Sequence, residues 1–416
     1  MQCFTGWQYL LIDAANNFGL DKLLFEDRIA WAEGHLDQLE TLADFAETKP
    51  LYMKAVQAIR KAQQGLPSGH LVGFDACCSG IQIMSAITGC EAGAAATGLV
   101  NPNVRADAYS QTTEVMNNLL HSLGLQVDVS RKQAKEALMT AYYGSKNKPI
   151  EIFGEDTPQL AAFYQAACVV APGAWELLQD LLSSWQSYAL YHAWKLPDGY
   201  DAKVKVMEKQ EVRIEVDELD HATFTYEYYE NKGSKRGLSN VANVVHSIDA
   251  YVLRSIHRRC NYDMGMVLAA QEAMLSELDL RIQGITSQLP AVPGKVAYYV
   301  QQYERSGMAD VVILPHLWDG HDTQYLATEH LEKLANIVSG MLNYRPFPVI
   351  TIHDEFKCHP NNMNHLRQQY INIFAELAES TILSDILSQI HDAPGVFPKL
   401  SNSLAEKIRG SNYALS

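Results

Sequence analysis

The pattern of apolar and polar positions predicts a chain built mainly of helices with a few short strands. Over most of its length, apolar residues recur every three or four positions, as on the buried face of an amphipathic helix, and one such pattern runs from 158 to about 194. Strict alternation is confined to 203–206, 211–216 and 223–226, which predicts an antiparallel sheet with one solvated face. The apolar run 311–314 also predicts a strand. We therefore expect an α+β fold that is mainly helical.

A short apolar run, 71–74, leads directly to Asp75. Ile81, Met84 and Ile87 then recur at helical spacing, so the pattern predicts a strand, a tight turn and a helix. At the end of a strand, Asp75 could hold a metal ion, but capping the following helix is the commoner role for a single aspartate. The choice between the two roles depends on partners elsewhere in the chain.

Four residues spaced four apart, Arg131, Lys135, Met139 and Tyr143, lie in a segment with a helical pattern, 130–146. At 100° per residue they stay within a face about 120° wide, so all four can meet one ligand. The helix from Arg131 to Tyr143 would be roughly 18 Å long, enough to follow an extended nucleoside triphosphate. The cations lie at its N-terminal end, where the helix dipole also favours phosphate. The alternative is an ordinary amphipathic helix with solvated basic residues.

The dipeptide His353-Asp354 lies between two short apolar stretches, as at the bend of a hairpin. Such a bend would expose Asp354. The dipeptide alone says little, because His321-Asp322 and His391-Asp392 also occur. What distinguishes His353-Asp354 is the strand that delivers it.

Composition limits the classes of protein that remain. Lys and Arg total 33 against 48 Asp and Glu, so the net charge of −15 argues against a generally basic nucleic-acid-binding surface, and any such site must be local. The seven cysteines form no Cys-x-x-Cys pair, which favours reduced thiols in an intracellular protein. No uncharged apolar run approaches the length of a membrane span, so no membrane insertion is expected.

Two strand-borne aspartates and a helix bearing Arg, Lys and Tyr are the parts that a nucleotidyl-transfer site requires. Asp75 and Asp354 could bridge two Mg²⁺ ions. The basic residues could then add positive charge around a triphosphate. A turn lysine near the start of the chain, Lys22, could join them, although an exposed lysine usually only hydrates.

The motifs, in their order, strongly resemble those of the single-subunit DNA-directed RNA polymerases of bacteriophages and mitochondria. Motif A is Asp75-Ala-Cys-Cys-Ser-Gly-Ile-Gln82, motif B is Arg131-x3-Lys135-x7-Tyr143-Gly-Ser-Lys146, and motif C is His353-Asp354. The resemblance implies template-dependent ribonucleotidyl transfer with release of pyrophosphate.

The resemblance also implies a right-hand polymerase with a small antiparallel palm sheet. The palm would occupy 1–110 and 246–416, and the fingers 111–245. The segment between His246 and motif C is longer than in the family, which suggests an insertion at 262–345. The C-terminal tail would lie near the active site.

The family's site residues can be carried over position by position. Asp75 and Asp354 match the metal-binding aspartates, and the Ala76 carbonyl is a plausible further ligand for the two Mg²⁺ ions. The other matched positions contact the nucleotide or flank the catalytic aspartate. They are Arg131, Lys135 and Lys22 for the triphosphate, Tyr143 for the sugar, His246 for the nucleotide or product strand, and His353 beside Asp354.

Template-dependent DNA polymerases are the main rival, because they share the motif B pattern and often have His-Asp-Glu where this chain has His353-Asp354-Glu355. Related DNA polymerases place a glutamate five residues after the motif A aspartate, where its side chain blocks a 2′-hydroxyl. This chain has Gly80 there, which favours RNA. Two departures from the family pattern, Ala76 for a glycine and Glu355 for a serine, remove no metal ligand. A non-catalytic nucleic-acid-binding subunit is the third possibility.

Only 74 residues precede Asp75, whereas complete family members first supply a promoter-binding domain and a thumb. The resemblance therefore suggests the palm–fingers subunit of a split, two-chain podovirus enzyme, a heterodimer whose smaller companion chain supplies thumb-like parts. DNA template, RNA product and ribonucleoside triphosphates would be its other partners, and a single-stranded-DNA-binding protein could help to open promoters. Its expected location is the cytoplasm of an infected bacterial host.

Overall fold

The computed structural model describes residues 1–233, 237, 239–317 and 322–416, so His321 of the His321-Asp322 dipeptide lies outside the described residues. The helices are α1 (Gly6–Ala15), α2 (Phe25–Gly34), α3 (Lys49–Gln63), α4 (Ser79–Thr88), α5 (Glu91–Ala96), α6 (Ala108–Ser122), α7 (Arg131–Ala141), α8 (Asn147–Phe153), α9 (Pro158–Val170), α10 (Pro172–Ser183), α11 (Ser239–Cys260), α12 (Met264–Ile282), α13 (Lys295–Ser306), α14 (Thr328–Leu342), α15 (Met363–Glu379), α16 (Ile382–His391) and α17 (Leu404–Arg409). The strands are β1 (Val72–Asp75), β2 (Tyr191–Lys195), β3 (Asp201–Lys205), β4 (Met207–Val216), β5 (Ala222–Gly233), β6 (Ile350–Ile352) and β7 (Glu355–Cys358). The fold is thus mainly helical with small antiparallel sheets, as the apolar pattern predicted.

A three-stranded antiparallel sheet in the order β1-β7-β6 joins the first and last thirds of the chain. Its register places Phe74 opposite Phe356 and Asp75 opposite Glu355. Both phenylalanines are buried, because alternate residues of β1 and β7 face the core. β6 and β7 form the predicted hairpin around His353-Asp354.

The C-terminal residues pack against the end of β1. Leu415 forms an antiparallel bridge with Ala76, and the Ser416 backbone N–H donates to the Asp75 carbonyl at 3.1 Å. The fully buried side chain of Gln82 donates to the Ala414 carbonyl at 3.0 Å. These bonds hold the last residues beside the turn that follows β1.

Two predictions for the middle of the chain are wrong, and the first is the continuous helical segment from 158 to about 194. The helical pattern from 158 to about 194 is two helices, because Pro172 starts a new helix immediately after Ala171, and the second ends at Ser183. Trp194 instead lies in β2, where it is buried and donates to the Ser247 hydroxyl at 3.0 Å.

The alternating segments also do not form one sheet. β3 pairs with β2, and β4 pairs with β5, as two separate hairpins. The turn between β2 and β3 is fixed by ion pairs, since Asp198 accepts from Arg254 at 2.6 Å and from Arg258 at 3.3 Å. Arg258 also contacts Asp310 at 2.9 Å, which ties this hairpin and α11 to the next segment.

A second hydrophobic cluster, separate from the main core, lies between Val267 and Met341. The run 311–314, predicted as a strand, is part of a 3₁₀ helix, Val311–His316. The Asp310 side chain caps it by accepting from the Val312 N–H at 2.8 Å, so local capping outweighs the strand preference of the branched residues. Among the helices in the described part of the chain, none has the length and apolar character needed to cross a membrane.

A buried histidine makes the stability of this second cluster depend on pH. His330 is stacked on Tyr303 at a ring distance of 3.8 Å, and burial lowers the pKa of His330 from 6.5 to about 3. Between these values the unfolded chain binds more protons than the folded chain, so the folded state loses stability as pH falls below 6.5.

We expect His330→Leu to remove about 2 kcal/mol of the stability difference between pH 7 and pH 5. Urea unfolding of both variants at the two pH values measures this change. A pH dependence equal in wild type and variant would contradict it.

Candidate active site

The sheet brings Asp75 and Asp354 to the same edge. Asp75 is the last residue of β1, and the next backbone N–H, of Ala76, donates to the Asp354 carbonyl at 3.2 Å. Asp354 lies at the hairpin bend, next to His353, which is exposed and takes a left-handed conformation with φ of 55°. Asp75 does not cap α4, since the N-cap position is Cys78 and no side chain caps it, so the capping alternative is wrong.

The electrostatics around Asp75 favour a bound cation. Although Asp75 is exposed, the surrounding protein and then the carboxylates of Glu355 and Asp354 raise the pKa of Asp75 to about 6. Lys357 and Lys22 oppose this rise. Carboxylates that repel one another in this way are the oxygen donors that a hard divalent cation prefers. The donor set therefore fits Mg²⁺.

The Ala76 carbonyl, the further ligand implied by the resemblance, lies in the same turn. It accepts a hydrogen bond from the Cys78 N–H at 3.1 Å. A carbonyl oxygen has a second lone pair, so this bond leaves one acceptor position for another partner.

Gly80 and Tyr143, from motifs A and B, are in direct contact. A Cβ atom at Gly80 would lie only 3.0 Å from the Tyr143 Oη, so the missing side chain gives the phenol its space. Tyr143 stacks on His246, with ring centroids 4.5 Å apart and planes 11° from parallel. The structure thus brings all three predicted residues together.

Tyr143 reaches this position differently from the sequence prediction. The helix α7 ends at Ala141, so Tyr143 does not lie on its regular face. Its N–H bonds to the Thr140 carbonyl at 3.2 Å, and Gly144 then takes a φ of 89°. A tight turn after the helix, rather than four-residue spacing, aims the phenol at Gly80.

Arg131 and Lys135 do share a face, as predicted. Each places its cationic group 5.6 Å from the centre of the Tyr109 ring, and Arg131 is also paired with Asp107 at 2.7 Å. Arg131 is the first residue of α7, which is capped by the Ser130 side chain. Both cations therefore lie at the positive end of the helix dipole.

Lys22 lies in the same cleft as Arg131 and Lys135. This cleft has a volume of about 870 Å³. Lys22 is paired with Asp21 at 2.6 Å, and its charge also lowers the pKa of Asp75, which places it close to the carboxylates. The cleft is therefore lined by all three basic residues predicted to bind the triphosphate, together with Lys54 and Lys357.

Sequence reasoning missed the residue that shapes the Lys22 turn. The Arg28 side chain is fully buried and donates to the Asp21 and Leu23 carbonyls, at 2.8 and 3.0 Å, and to Asn16 Oδ1 at 2.8 Å. These bonds hold the backbone on both sides of Lys22. The sequence offered no signal for this role beyond an arginine six residues after Lys22.

Asp249 was also missed. Burial and the Asp354 carboxylate raise the pKa of Asp249 to about 6, so this acid lies within electrostatic range of Asp354. It is three residues after His246 on α11, a spacing that puts two side chains on neighbouring positions of a helix surface. That spacing was visible in the sequence and could have identified it.

A family model for DNA-dependent RNA polymerase matches residues 3–151. That region contains motifs A and B, whereas His246 and Asp354 lie outside it. The match therefore covers the lining residues of the cleft except Glu355 and Lys357, and one of the two predicted metal-binding aspartates.

Curated relatives extend the similarity. A DNA-directed RNA polymerase of Pseudomonas phage phiKMV is 26% identical over 303 residues, covering 59% of this chain and 37% of that protein. DNA-directed RNA polymerase 2B, chloroplastic/mitochondrial, of Nicotiana tabacum is 30% identical over 172 residues, covering 34% of this chain and 17% of that protein. The chain thus spans less than two-fifths of the length of either relative. In these regions the chain is similar to DNA-dependent RNA polymerases of phages and of plant organelles.

Proposed function

We propose that the chain is the catalytic subunit of a DNA-directed RNA polymerase that adds ribonucleotides to a growing strand on a template. The observation that carries this proposal is that β1 and the β6–β7 hairpin bring Asp75 and Asp354 to the same edge of the sheet, with motif A and motif B in contact through Gly80 and Tyr143. In this proposal residues 1–110 and 246–416 are the palm, with 262–345 inserted, and 111–245 are the fingers.

Two Mg²⁺ ions would be held by Asp75 and Asp354, with the Ala76 carbonyl as a further ligand. When bound, such ions lower the pKa of the attacking 3′-hydroxyl and stabilise the leaving pyrophosphate. The raised pKa of Asp75 fits this role, because a cation would offset the repulsion among the carboxylates.

The other residues of the chain bind and orient the nucleotide. The positive charge for the triphosphate comes from Arg131, Lys135 and Lys22. These charges are already in position before the reaction begins, and fixed charges of this kind stabilise a transition state. Tyr143, braced by His246, would pack against the sugar. His353 would flank the reacting end of the strand, since it adjoins Asp354 at the bend.

The partners follow from the same proposal. A companion subunit with thumb-like parts would complete the grip on the template–product duplex. The acidic net charge of −15 confines phosphate contacts to the cleft and to that partner. A single-stranded-DNA-binding protein would assist promoter opening, and the enzyme would act in the cytoplasm of an infected bacterial host.

The choice of sugar tests the proposal. Wild type, with any co-purifying companion, should incorporate UTP in preference to dTTP on a preannealed template and primer with Mg²⁺. Gly80→Glu should reduce this preference at least about tenfold, because the new side chain would occupy the space facing the 2′-hydroxyl. Gly80→Ala is the smaller control, and it should mainly disturb Tyr143, whose Oη would lie 3.0 Å from the new Cβ.

Other outcomes would favour the rivals. A wild-type preference for dTTP would identify a DNA polymerase. Mg²⁺-dependent nucleotide binding without incorporation, with the companion present, would identify a non-catalytic subunit.

A further inference from the structure

The main cleft continues into a second groove that the proposed reaction does not use. The smaller groove has a volume of about 210 Å³ and shares Lys54, Gly69 and His70 with the cleft that contains Arg131 and Lys135. One anionic ligand could therefore pass from the groove to the cleft without leaving contact with the protein.

The groove is lined by two lysines on one face of α3. Lys54 and Lys61 are seven residues apart, two helical turns or about 10.5 Å along the axis, and both side chains are exposed. Within the part of the chain that the structure describes, neither ammonium group is paired with a carboxylate. The two lysines therefore leave uncompensated positive charge facing one groove, in a chain with a net charge of −15.

The acidic groups nearest the junction are already compensated. Asp13 is buried and accepts from His70 Nε2 at 2.7 Å, and Glu355 is paired with Lys357 at 2.8 Å. Glu47 also lines the main cleft but is not part of the smaller groove. The groove itself contains Lys54, Lys61 and His70 with no acidic residue among its lining side chains.

We propose that Lys54 and Lys61 form an outer subsite for oligophosphate, in the groove that adjoins the cleft of Arg131 and Lys135. Lysine ammonium groups on flexible stems bind phosphate as mobile point charges. The subsite would take either the triphosphate of an incoming nucleotide or the pyrophosphate that leaves. This inference rests on the proposed function for its ligand, although the binding itself does not require catalysis.

Calorimetric titration of the chain with inorganic tripolyphosphate at low salt tests the subsite without any template. Wild type should show two classes of site. Lys54→Gln/Lys61→Gln should weaken one class about fivefold or more, and Arg131→Gln/Lys135→Gln should weaken the other. The matched control, Lys132→Gln/Lys295→Gln, removes two exposed lysines that line neither cavity and should leave both classes unchanged.

Steady-state incorporation then distinguishes the two sources of phosphate. A higher KM for nucleotide in Lys54→Gln/Lys61→Gln, with kcat unchanged, would assign the subsite to the incoming triphosphate. Weaker inhibition by pyrophosphate with an unchanged KM would assign it to the product.

Two binding classes in a chain that fails to polymerise would support the subsite while rejecting the proposed function. A single class of site in wild type, or titrations unaltered by the Lys54→Gln/Lys61→Gln changes, would overturn the subsite.

Discussion

Asp354→Asn is expected to reduce template-directed ribonucleotide incorporation at least about a thousandfold, and Asp75→Asn should do the same. Asparagine keeps the shape of the side chain but removes the charge that would hold a divalent cation. The two aspartates lie at one edge of the sheet. In the proposed site both are needed to hold the metal ions, so the loss of either should abolish the reaction. Single-turnover incorporation at saturating nucleotide and Mg²⁺ measures the loss directly.

The chain contains a matched control for this change. Asp392, in the second described His-Asp dipeptide, is exposed and follows α16 in a left-handed conformation with φ of 50°, which asparagine tolerates well. Asp392→Asn should therefore retain wild-type incorporation. Near-normal rates in both Asp75→Asn and Asp354→Asn, or an equal loss in Asp392→Asn, would reject the metal roles.

Lys135→Gln is expected to lower kcat/KM for the nucleotide about a hundredfold. Removing one preorganised charged or hydrogen-bonding group from a reaction centre typically has an effect of this size. Lys135 is a cleaner test than Arg131, because Arg131 also anchors Asp107 at 2.7 Å and its loss would disturb the fold locally. Lys132 lies on the same helix, α7, but does not line the cleft, so comparison of kcat/KM with Lys132→Gln separates a specific contact from general charge.

The interpretation depends on which of the two variants, Lys135→Gln or Lys132→Gln, loses activity. A loss in Lys135→Gln with little change in Lys132→Gln is the expected result. If both variants lose activity equally, the helix acts only as a basic surface, which is the alternative that the sequence pattern left open.

Local features of the chain were predictable from the sequence. The apolar run before Asp75 and the helical spacing after it correctly predicted β1, the turn and α4. The short apolar stretches around His353-Asp354 correctly predicted a hairpin. In each case neighbouring residues determine the structure, so a few positions of sequence contain the information needed.

Features that depend on contacts between distant segments could not be predicted by pattern alone. The alternation in 203–206 and 211–216 was real, but pairing partners decide how strands join, and β3 pairs with β2. The clearance between Gly80 and Tyr143 likewise depends on two elements meeting. The role of Arg28 arises from three backbone and side-chain acceptors that only the folded turn brings together.

The most direct test of the account is single-ribonucleotide incorporation on four preannealed RNA–DNA scaffolds that differ only in the templating base. The wild-type chain, purified with any companion, is first freed of metal with a chelator and then titrated with Mg²⁺. The account predicts no incorporation before Mg²⁺ is added, and afterwards addition of only the complementary ribonucleotide on each scaffold. Incorporation that ignores the template base, or that proceeds equally without a divalent metal, would contradict it.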